Sequence, residues 1–370
     1  MKIITEDVVK AALADPDWVV VDARPSGEFA GWALTCPMEG HIPGSTDFSA
    51  DWLRYPDAGK PSYLAHMRDL LDSKGIRSAN NIILCDHNGR DAEMVSAFFH
   101  AEGIEAGSYF RLDDWTGGFV TYPGFKRSVP VQWVMELISG GSPKYFRGGK
   151  YRILEVSWGK PTKEFIEHHI PGSTHVDTEE YEMGDEWIRP SDEELERFAR
   201  RNGITADSTV ICYCIKGEGA IYKLASMLEF MGVECVLTMN GSLQNWIMAG
   251  YPTESGLPEP TPVESFGRTI PARPWVYVDM EGMKKVIEPG NTRDEGIDVR
   301  TWGAYIGVDT EYSYVPIAGR IPNTKWCFNK YHYMSPNDTM GNAEEVVAYW
   351  QECGVDLSKH NVFFCGSGAW

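Results

Sequence analysis

The sequence predicts an α/β protein built from three tandem copies of one domain, each a mostly parallel sheet flanked by helices. The first observation is a motif that occurs three times in 370 residues, as His-Ile-Pro-Gly at His41 and His169 and as the weaker Arg-Ile-Pro-Asn at Arg320. The second is an apolar run that ends in a turn after each motif. The separation between motif and turn is 45 residues in every copy, from His41 to Asp86, from His169 to Cys214 and from Arg320 to Cys365. A fixed spacing of this kind indicates repeated domains.

A third landmark lies upstream of each motif. It is a short apolar run that predicts a buried strand ending in an acidic residue. The acids are Asp22, Glu155 and Asp298. In the first and third copies an arginine follows two residues later, at Arg24 and Arg300.

The elements of the first copy alternate as an α/β domain requires. Strands are predicted over 19–23 and 82–86, and helices over 63–73 and 91–101. In the second copy Ser191 begins a capping box that opens a further helix. The predicted domains are 1–130, 131–255 and 272–370, with an extended Pro-rich linker over 256–271.

Cys365 is the candidate nucleophile. It follows an apolar strand, and glycines at 366 and 368 let the backbone turn tightly with its N–H groups pointing inward. A thiolate in such a nest is expected to have a lowered pKa. The loop that would cradle it consists of Gly366, Ser367, Gly368, Ala369 and Trp370.

These motifs together resemble the rhodanese family of sulfurtransferases. The resemblance rests on Asp-x-Arg, His-Ile-Pro-Gly, a strand into Cys-x-x-Gly, and a closing stretch before Trp115 or Trp246. Three tandem copies resemble the bacterial three-domain thiosulfate sulfurtransferases of the YnjE type. The resemblance implies rhodanese-like domains, with Asp298 and Arg300 paired beneath the Cys365 loop in a supporting role.

The resemblance also implies a chemistry. Cys365 would take sulfane sulfur from a small anionic donor, thiosulfate or 3-mercaptopyruvate, and pass it from a persulfide to a thiol, cyanide or a protein cysteine. No cofactor motif and no metal-ligand spacing is visible, so neither is expected.

The other two turns depart from this pattern. Asp86 stands where the first copy would need a nucleophile, and a carboxylate cannot accept sulfane sulfur. That copy is therefore predicted to be structural or a docking module. In the second copy Cys214 is followed by Lys216 and by Glu218, whose charge disfavours a thiolate. Cys214 is predicted to be a buried or vestigial thiol, with an accessory site involving Lys216 as the alternative.

Two other functions remain open at this point. Rhodanese loops usually run Cys-x4-Arg, and here Trp370 holds the arginine position. A wider loop would resemble Cdc25-type phosphatases and arsenate reductases, which bind a tetrahedral oxyanion. Three modules with two altered turns would also suit a non-catalytic docking scaffold for sulfur relay. The tyrosines and tryptophans between Trp302 and Arg320 are predicted to pack between domains or to form a wall over the Cys365 pocket.

Composition excludes several classes of partner. The formal charge of −19 argues against nucleic acid and against an anionic membrane surface. The eight cysteines include no Cys-x-x-Cys pair, which predicts a reduced interior rather than a disulfide framework. No stretch approaches eighteen apolar residues, and the first residues lack an apolar signal run. A cytoplasmic protein is expected, or a periplasmic one if a signal peptide has been removed.

The third copy is shorter than the second. Aligned on it, the third has no counterpart of residues 220–255. We expect the natural chain to continue past Trp370, or another chain to supply the part that is missing.

Overall fold

A computed structural model describes residues 1–182, 184, 188–217, 219–328 and 333–366. Its first sheet has the strand order β1-β5-β4-β2-β3, with all neighbours parallel. The strands are β1 Lys2–Ile3, β2 Trp18–Asp22, β3 Thr46–Asp47, β4 Asn81–Asp86 and β5 Ser108–Arg111. The helices of this copy are α1 Glu6–Ala12, α2 Ser26–Ala30, α3 Ala50–Arg54, α4 Pro61–Ser73 and α5 Arg90–Ala101.

The second sheet repeats this order as β6-β10-β9-β7-β8, again parallel throughout. The strands are β6 Ser128–Pro130, β7 Tyr151–Ser157, β8 Thr174–Asp177, β9 Thr209–Tyr213 and β10 Cys235–Asn240. The helices are α6 Val131–Ile138, α7 Lys163–Glu167, α8 Asp192–Arg201, α9 Ala220–Met231 and α10 Leu243–Met248.

The third sheet has the order β12-β11-β13, which matches β3-β2-β4 and β8-β7-β9 of the other two. Its strands are β11 Asp294–Asp298, β12 Thr324–Trp326 and β13 His360–Phe364, and its helices are α11 Met280–Val286, α12 Trp302–Ile306 and α13 Ala343–Glu352. Within the described residues no strand pairs with the outer edge of β13, the position that β5 and β10 occupy in the other sheets. The predicted α/β class with tandem parallel sheets is confirmed.

Burial follows from strand geometry, because successive side chains point to opposite faces of a sheet. In the first copy Val21 and Leu84 pack with α4 and α5, whereas Val20 and Ile83 pack on the other face with Val9 of α1. Both faces are covered, as in other α/β domains.

Helix ends match the local sequence. Ser191 accepts a hydrogen bond from the backbone N–H of Glu194, and the Glu194 side chain accepts one from the N–H of Ser191. This is the predicted capping box, and it starts α8.

By contact density the described chain divides into two compact units. One contains Met1–Phe125 together with Met334–Glu344, and the other contains the remaining described residues. Asn342 of the inserted segment donates to the Asp47 carboxylate at 2.8 Å, and Asp338 accepts from the Tyr55 hydroxyl at 2.7 Å. A piece of the third copy is thus part of the first unit.

The second sheet begins earlier than the predicted boundary at residue 131. Strand β6, which that boundary assigns to the first copy, pairs with β10. The strand is only three residues long and ends in proline, so it has no readable period in the sequence. The 256–271 linker contains no helix or strand. It is nevertheless anchored, since Phe266 is fully buried in the second core.

The first residue of the Ile-Pro motif packs in the same way in the first two copies and differently in the third. His41 stacks on Phe29 with 3.8 Å between ring centroids, and its Nδ1 donates to the Phe29 carbonyl. His169 repeats both contacts with Phe165. In the third copy the guanidinium of Arg320 lies 5.1 Å from the ring centroid of Tyr305. An aromatic ring therefore lies beside the first motif residue in all three copies, although His41 and His169 are buried and Arg320 is exposed.

The strand ends before these motifs are held by buried ion pairs. Arg24 donates to Asp22, with the closest contact at 2.6 Å, and to the carbonyl of Gly40 at 2.7 Å. The second copy has no such arginine. There Glu155 pairs with His175 at 2.6 Å, and the other ring nitrogen of His175 lies 3.0 Å from the carbonyl of Gly159.

We expect His175→Gln to remove a pH-dependent part of the stability. Burial lowers the pKa of His175, but the Glu155 carboxylate, the Gly159 carbonyl and the Asp177 charge together raise it by more, so it lies above the ordinary value of 6.5. A raised folded-state pKa gives stability that is fully present below the unfolded pKa and is lost as pH rises through the folded pKa. Below about pH 6.5 the change should cost about 3 kcal/mol, because it leaves Glu155 buried without its cation.

The measurement is the thermal unfolding midpoint across that pH range. The exposed His100→Gln is the control and should follow the parent. An unchanged pH dependence in His175→Gln would contradict this assignment.

Candidate active site

Cys365 lies directly after β13, at the carboxyl end of the third sheet. The carbonyl of Phe364, the last residue of β13, accepts a hydrogen bond from the N–H of Val299 at 3.0 Å. The Cys365 side chain is half-buried and packs against the cluster that contains Ile297 and Val299. Ligands of open parallel sheets bind at this edge, outside the carboxyl ends of the strands.

The start of the loop leaves no room for a side chain. A Cβ on Gly366 would overlap the ring of Tyr312. Glycine is therefore required where the chain leaves Cys365. Ser367, Gly368, Ala369 and Trp370 lie outside the described residues, so the cradle of N–H groups remains a prediction.

At the end of β11, Asp298 and Arg300 form a buried ion pair. Nη2 of Arg300 donates to Asp298 at 2.7 Å and to the carbonyl of Gly319 at 2.8 Å. The hydrogen bond that Arg300 donates to the Asp298 carboxylate raises the pKa of Arg300 above its ordinary value. This arrangement repeats Arg24 and Asp22. It ties the end of β11 to the residue before the Ile-Pro motif.

Aromatic side chains gather at the same sheet edge. Strands β12 and β13 end at Trp326 and Phe364, and both of these residues pair with Asp298 of β11. The Trp326 ring lies 4.9 Å from that of Trp302, which is 53% exposed. Together with the contact between Tyr312 and Gly366, this places aromatic surface on the side of the sheet where Cys365 emerges.

In the second copy Cys214 occupies the corresponding turn but is only 2% exposed. It lies in the same core cluster as Cys212, in keeping with their period-two spacing. Its backbone carbonyl accepts from the N–H of Leu243. Lys216 points into solvent and Glu218 lies outside the described residues. In this structure an anion in solution does not reach the Cys214 sulfur.

In the first copy the turn is filled by its own side chain. One oxygen of Asp86 accepts from the N–H groups of Asn88 and Gly89, and the other accepts from those of Asp91 and Ala92. Tyr109 adds a hydroxyl at 2.8 Å. These donors surround the N-terminus of α5, where a negative charge is favoured. A carboxylate thus takes the place that an exogenous anion would occupy.

We expect Asp86→Ala to destabilise the first unit by about 3 kcal/mol, because it leaves several buried N–H donors without an acceptor. The matched control is Asp57→Ala, which removes an exposed carboxylate paired with Lys60 and should change stability by less than about 0.5 kcal/mol. Hydrogen exchange of the α5 amides, with urea unfolding, measures both. Equal stability of the two variants would contradict the role of Asp86.

No helix in the described part of the chain is long and apolar enough to cross a bilayer.

Comparison with known families agrees with this geometry. The rhodanese-like domain matches residues 5–120 and 132–249, more than half of the chain. The chain therefore belongs to the rhodanese family. The two matches cover the first and second copies. The likeness of the third copy to them is supported by its motif spacing and by the strand order of its sheet.

Individual relatives narrow the class to sulfurtransferases. The chain is 28% identical over 359 residues to thiosulfate sulfurtransferase YnjE of Escherichia coli (strain K12), covering 94% of this chain and 80% of the relative. It is 29% identical over 252 residues to 3-mercaptopyruvate sulfurtransferase of Homo sapiens, covering 65% of this chain and 81% of that protein.

Solved structures add a further relative. The wild-type structure of EanB superposes with a TM-score of 0.88 at 28% identity, covering 100% of this chain and 90% of that one. The anaerobic ergothioneine biosynthesis enzyme from Chlorobium limicola, in complex with trimethyl histidine, gives 0.87 at 28% identity over 99% and 90% of the two chains. An EanB variant carrying a cysteine persulfide with ergothioneine has the same overall similarity, at 0.88.

Proposed function

We propose that the protein transfers sulfane sulfur from thiosulfate to a thiophilic acceptor through a persulfide on Cys365. The observation that carries this proposal is the contrast between the three turns. The first is filled by the Asp86 carboxylate, and the sulfur of Cys214 in the second is buried. Cys365 is half-buried at the carboxyl edge of its sheet. Of these three positions it is the one that an exogenous sulfur donor can reach.

The first step is attack by the Cys365 thiolate on the outer sulfur of thiosulfate. A sulfur–sulfur bond forms to Cys365, the sulfur–sulfur bond of thiosulfate breaks, and sulfite leaves with the electron pair. In the second step an acceptor thiolate or cyanide attacks the terminal sulfur and releases Cys365 as thiolate. The two steps balance without an external oxidant. 3-Mercaptopyruvate is the alternative donor, with pyruvate as its product.

Local hydrogen-bond donors must supply the anion affinity. A formal charge of −19 repels thiosulfate at long range, and this repulsion is screened beyond about 8–10 Å. The N–H groups from Gly366 onward would stabilise the persulfide and the incoming anion at short range. Arg300 is engaged with Asp298 and Gly319, so its proposed role is to position the strand end.

A second acceptor is favoured by the aromatic surface. EanB, similar over the whole chain, has been solved with hercynine and with ergothioneine. Trp302 stacks beside Tyr305 and Trp326 and remains half exposed. Exposed tryptophan and tyrosine rings bind quaternary ammonium groups through cation–π contacts. Sulfur transfer to the imidazole ring of trimethyl histidine is therefore the second candidate function. The persulfide on Cys365 would give its outer sulfur to a ring carbon. The ring C–H would become C–SH, and Cys365 would be left as the free thiol.

The first prediction for this site concerns persulfide formation. After incubation with thiosulfate and gel filtration, the parent should gain about 32 Da, the mass of one sulfur atom. Cys365→Ser should lose the gain, because it removes the attacking sulfur. Cys214→Ser is the matched control and should retain it. Intact-mass spectrometry reads all three.

A parent that gains no mass with thiosulfate or 3-mercaptopyruvate would overturn the sulfurtransferase proposal. Hydrolysis of an aryl phosphate by that same parent would then favour a phosphatase-like loop, and inactivity in both assays would favour a docking scaffold. A gain lost only in Cys214→Ser would move the site to the second copy.

The second prediction separates the acceptors. If trimethyl histidine is a substrate, Trp302→Ala should lower its kcat/KM by about fivefold, the equivalent of one lost cation–π contact of about 1 kcal/mol. Trp275→Ala, which truncates another exposed tryptophan, should leave it unchanged. Release of the persulfide sulfur to cyanide, with no product from trimethyl histidine, would exclude the second candidate and retain the first.

A further inference from the structure

Three side chains with metal-binding atoms converge beside the turn of the first copy. Glu28 belongs to α2, Cys36 to the loop that follows it, and His87 to the turn after β4. Their ligand atoms all lie within 4.8 Å of one another. Oε2 of Glu28 is 3.8 Å from Sγ of Cys36 and 3.8 Å from Nε2 of His87. A carboxylate, a thiol and an imidazole from three separate segments thus face one point.

The orientation of His87 is fixed from outside this cluster. Its Nδ1 lies 2.9 Å from the carboxylate of Asp113, so the proton on Nδ1 is donated outward. The other nitrogen, Nε2, is buried and has no hydrogen-bond partner among the described residues. This nitrogen lies 3.8 Å from Oε2 of Glu28, and loss of its proton to solvent would free a lone pair for a metal ion. A metal-binding histidine usually donates the N–H of its other ring nitrogen to a carboxylate, which fixes the orientation of the ring.

Glu28 is also oriented for this task. It is fully buried, and its Oε1 accepts from the N–H and the hydroxyl of Thr35. That leaves Oε2 to face the sulfur and the imidazole. A buried carboxylate whose remaining oxygen lies near two further metal-binding atoms is well suited to bind a cation.

One cation already borders the cluster. Nη1 of Arg24 lies 3.7 Å from Oε2 of Glu28 and 4.0 Å from Sγ of Cys36, while the rest of its guanidinium is bound by Asp22. A divalent ion held by one carboxylate, one thiolate and one neutral imidazole forms a site with no net charge. The Arg24 and Asp22 pair would then remain balanced beside it. The guanidinium would lie near the metal-bound sulfur, which an N–H donor stabilises.

We propose that Glu28, Cys36 and His87 form a zinc site in the first copy. Sulfur, nitrogen and carboxylate oxygen are the ligands of protein zinc, with bond lengths of about 2.0–2.3 Å that set tetrahedral ligands about 3.5 Å apart. Oε2 of Glu28 lies 3.8 Å from each of the other two ligand atoms, and all three atoms lie within 4.8 Å of one another, so binding would draw them together by a few tenths of an ångström to about 1 Å. Binding breaks the S–H bond of Cys36, releases that proton to solvent and gives the sulfur lone pair to the metal. Water would take the fourth position.

The site has a structural consequence for the first copy. The chain between α2 and His41 has no helix or strand among its described residues. Cys36 lies in its middle, and the ion would tie it to α2 and to the turn that Asp86 organises. This proposal concerns a different copy from Cys365 and stands or falls separately from sulfur transfer.

The test uses the full chain, stripped with a chelator and titrated with Co²⁺ as a spectroscopic probe and then with Zn²⁺. The parent should bind one equivalent of Co²⁺ with a thiolate-to-cobalt charge-transfer band in the near ultraviolet, and Zn²⁺ should abolish the band by displacement. Cys36→Ser should lose the band and bind Zn²⁺ at least tenfold more weakly. Cys235→Ser, another half-buried cysteine, and Cys365→Ser should keep both properties.

A second variant keeps the test decisive if Cys36→Ser does not fold. His87→Gln retains the sulfur and should weaken Zn²⁺ at least tenfold, and Zn²⁺ should raise the thermal midpoint of the parent but not of this variant. Persistence of the band in Cys36→Ser, or its loss in Cys365→Ser, would overturn the proposal. So would a parent that binds no stoichiometric metal, in which case a protonated His87 simply bridges Glu28 and Asp113.

Discussion

The end of the central strand in each copy is held by a buried charge, and the rest of the copy depends on it. In the first and third copies a guanidinium joins the strand's last carboxylate to a carbonyl just before the Ile-Pro motif. A buried ion pair of this kind contributes little net stability, since desolvation offsets much of the attraction. What it provides is position, because the long loop after the strand is fixed at both ends.

The second copy holds its central strand with different chemistry, and its carbonyl acceptor lies just after the strand rather than before the motif. Glu155 and His175 replace the carboxylate and the guanidinium, and a backbone carbonyl again accepts on the far side. An arginine holds its charge at any physiological pH, whereas histidine does not. The copy without an Asp-x-Arg pair is thus the one whose support responds to proton concentration. In the same copy the cysteine of the turn, Cys214, is buried in the core.

Much of this architecture could be predicted from the sequence because it is local or periodic. The 45-residue spacing, the capping box at Ser191 and the ion pair of Asp298 with Arg300 are all readable from short patterns. For the Asp86 turn the sequence predicts only that a nucleophile is lacking. The structure adds that the carboxylate itself accepts from the N–H groups of the turn.

Other features could not be predicted for equally physical reasons. Strand β6 is too short to show a period. Glu28, Cys36 and His87 come together only through the fold, at spacings that match no ligand motif. Asn342 donates a hydrogen bond to Asp47, which lies 295 residues earlier in the sequence. No local sequence pattern around either residue predicts this contact. For Cys365 the sequence predicts the position, whereas the cradle it implies extends into residues beyond those described.

The insertion of Met334–Glu344 into the first unit has a consequence for how the protein is made. Ribosomes deliver the chain from the N-terminus, so β1 to β5 are available to pair long before this segment emerges. Asp47 and Tyr55 lack these partners until a further 295 and 283 residues have been synthesised. The first unit is therefore completed only after the strands of the second sheet have been translated. A fragment cut at the end of the first sheet would retain its strands but lack a strip of its own surface.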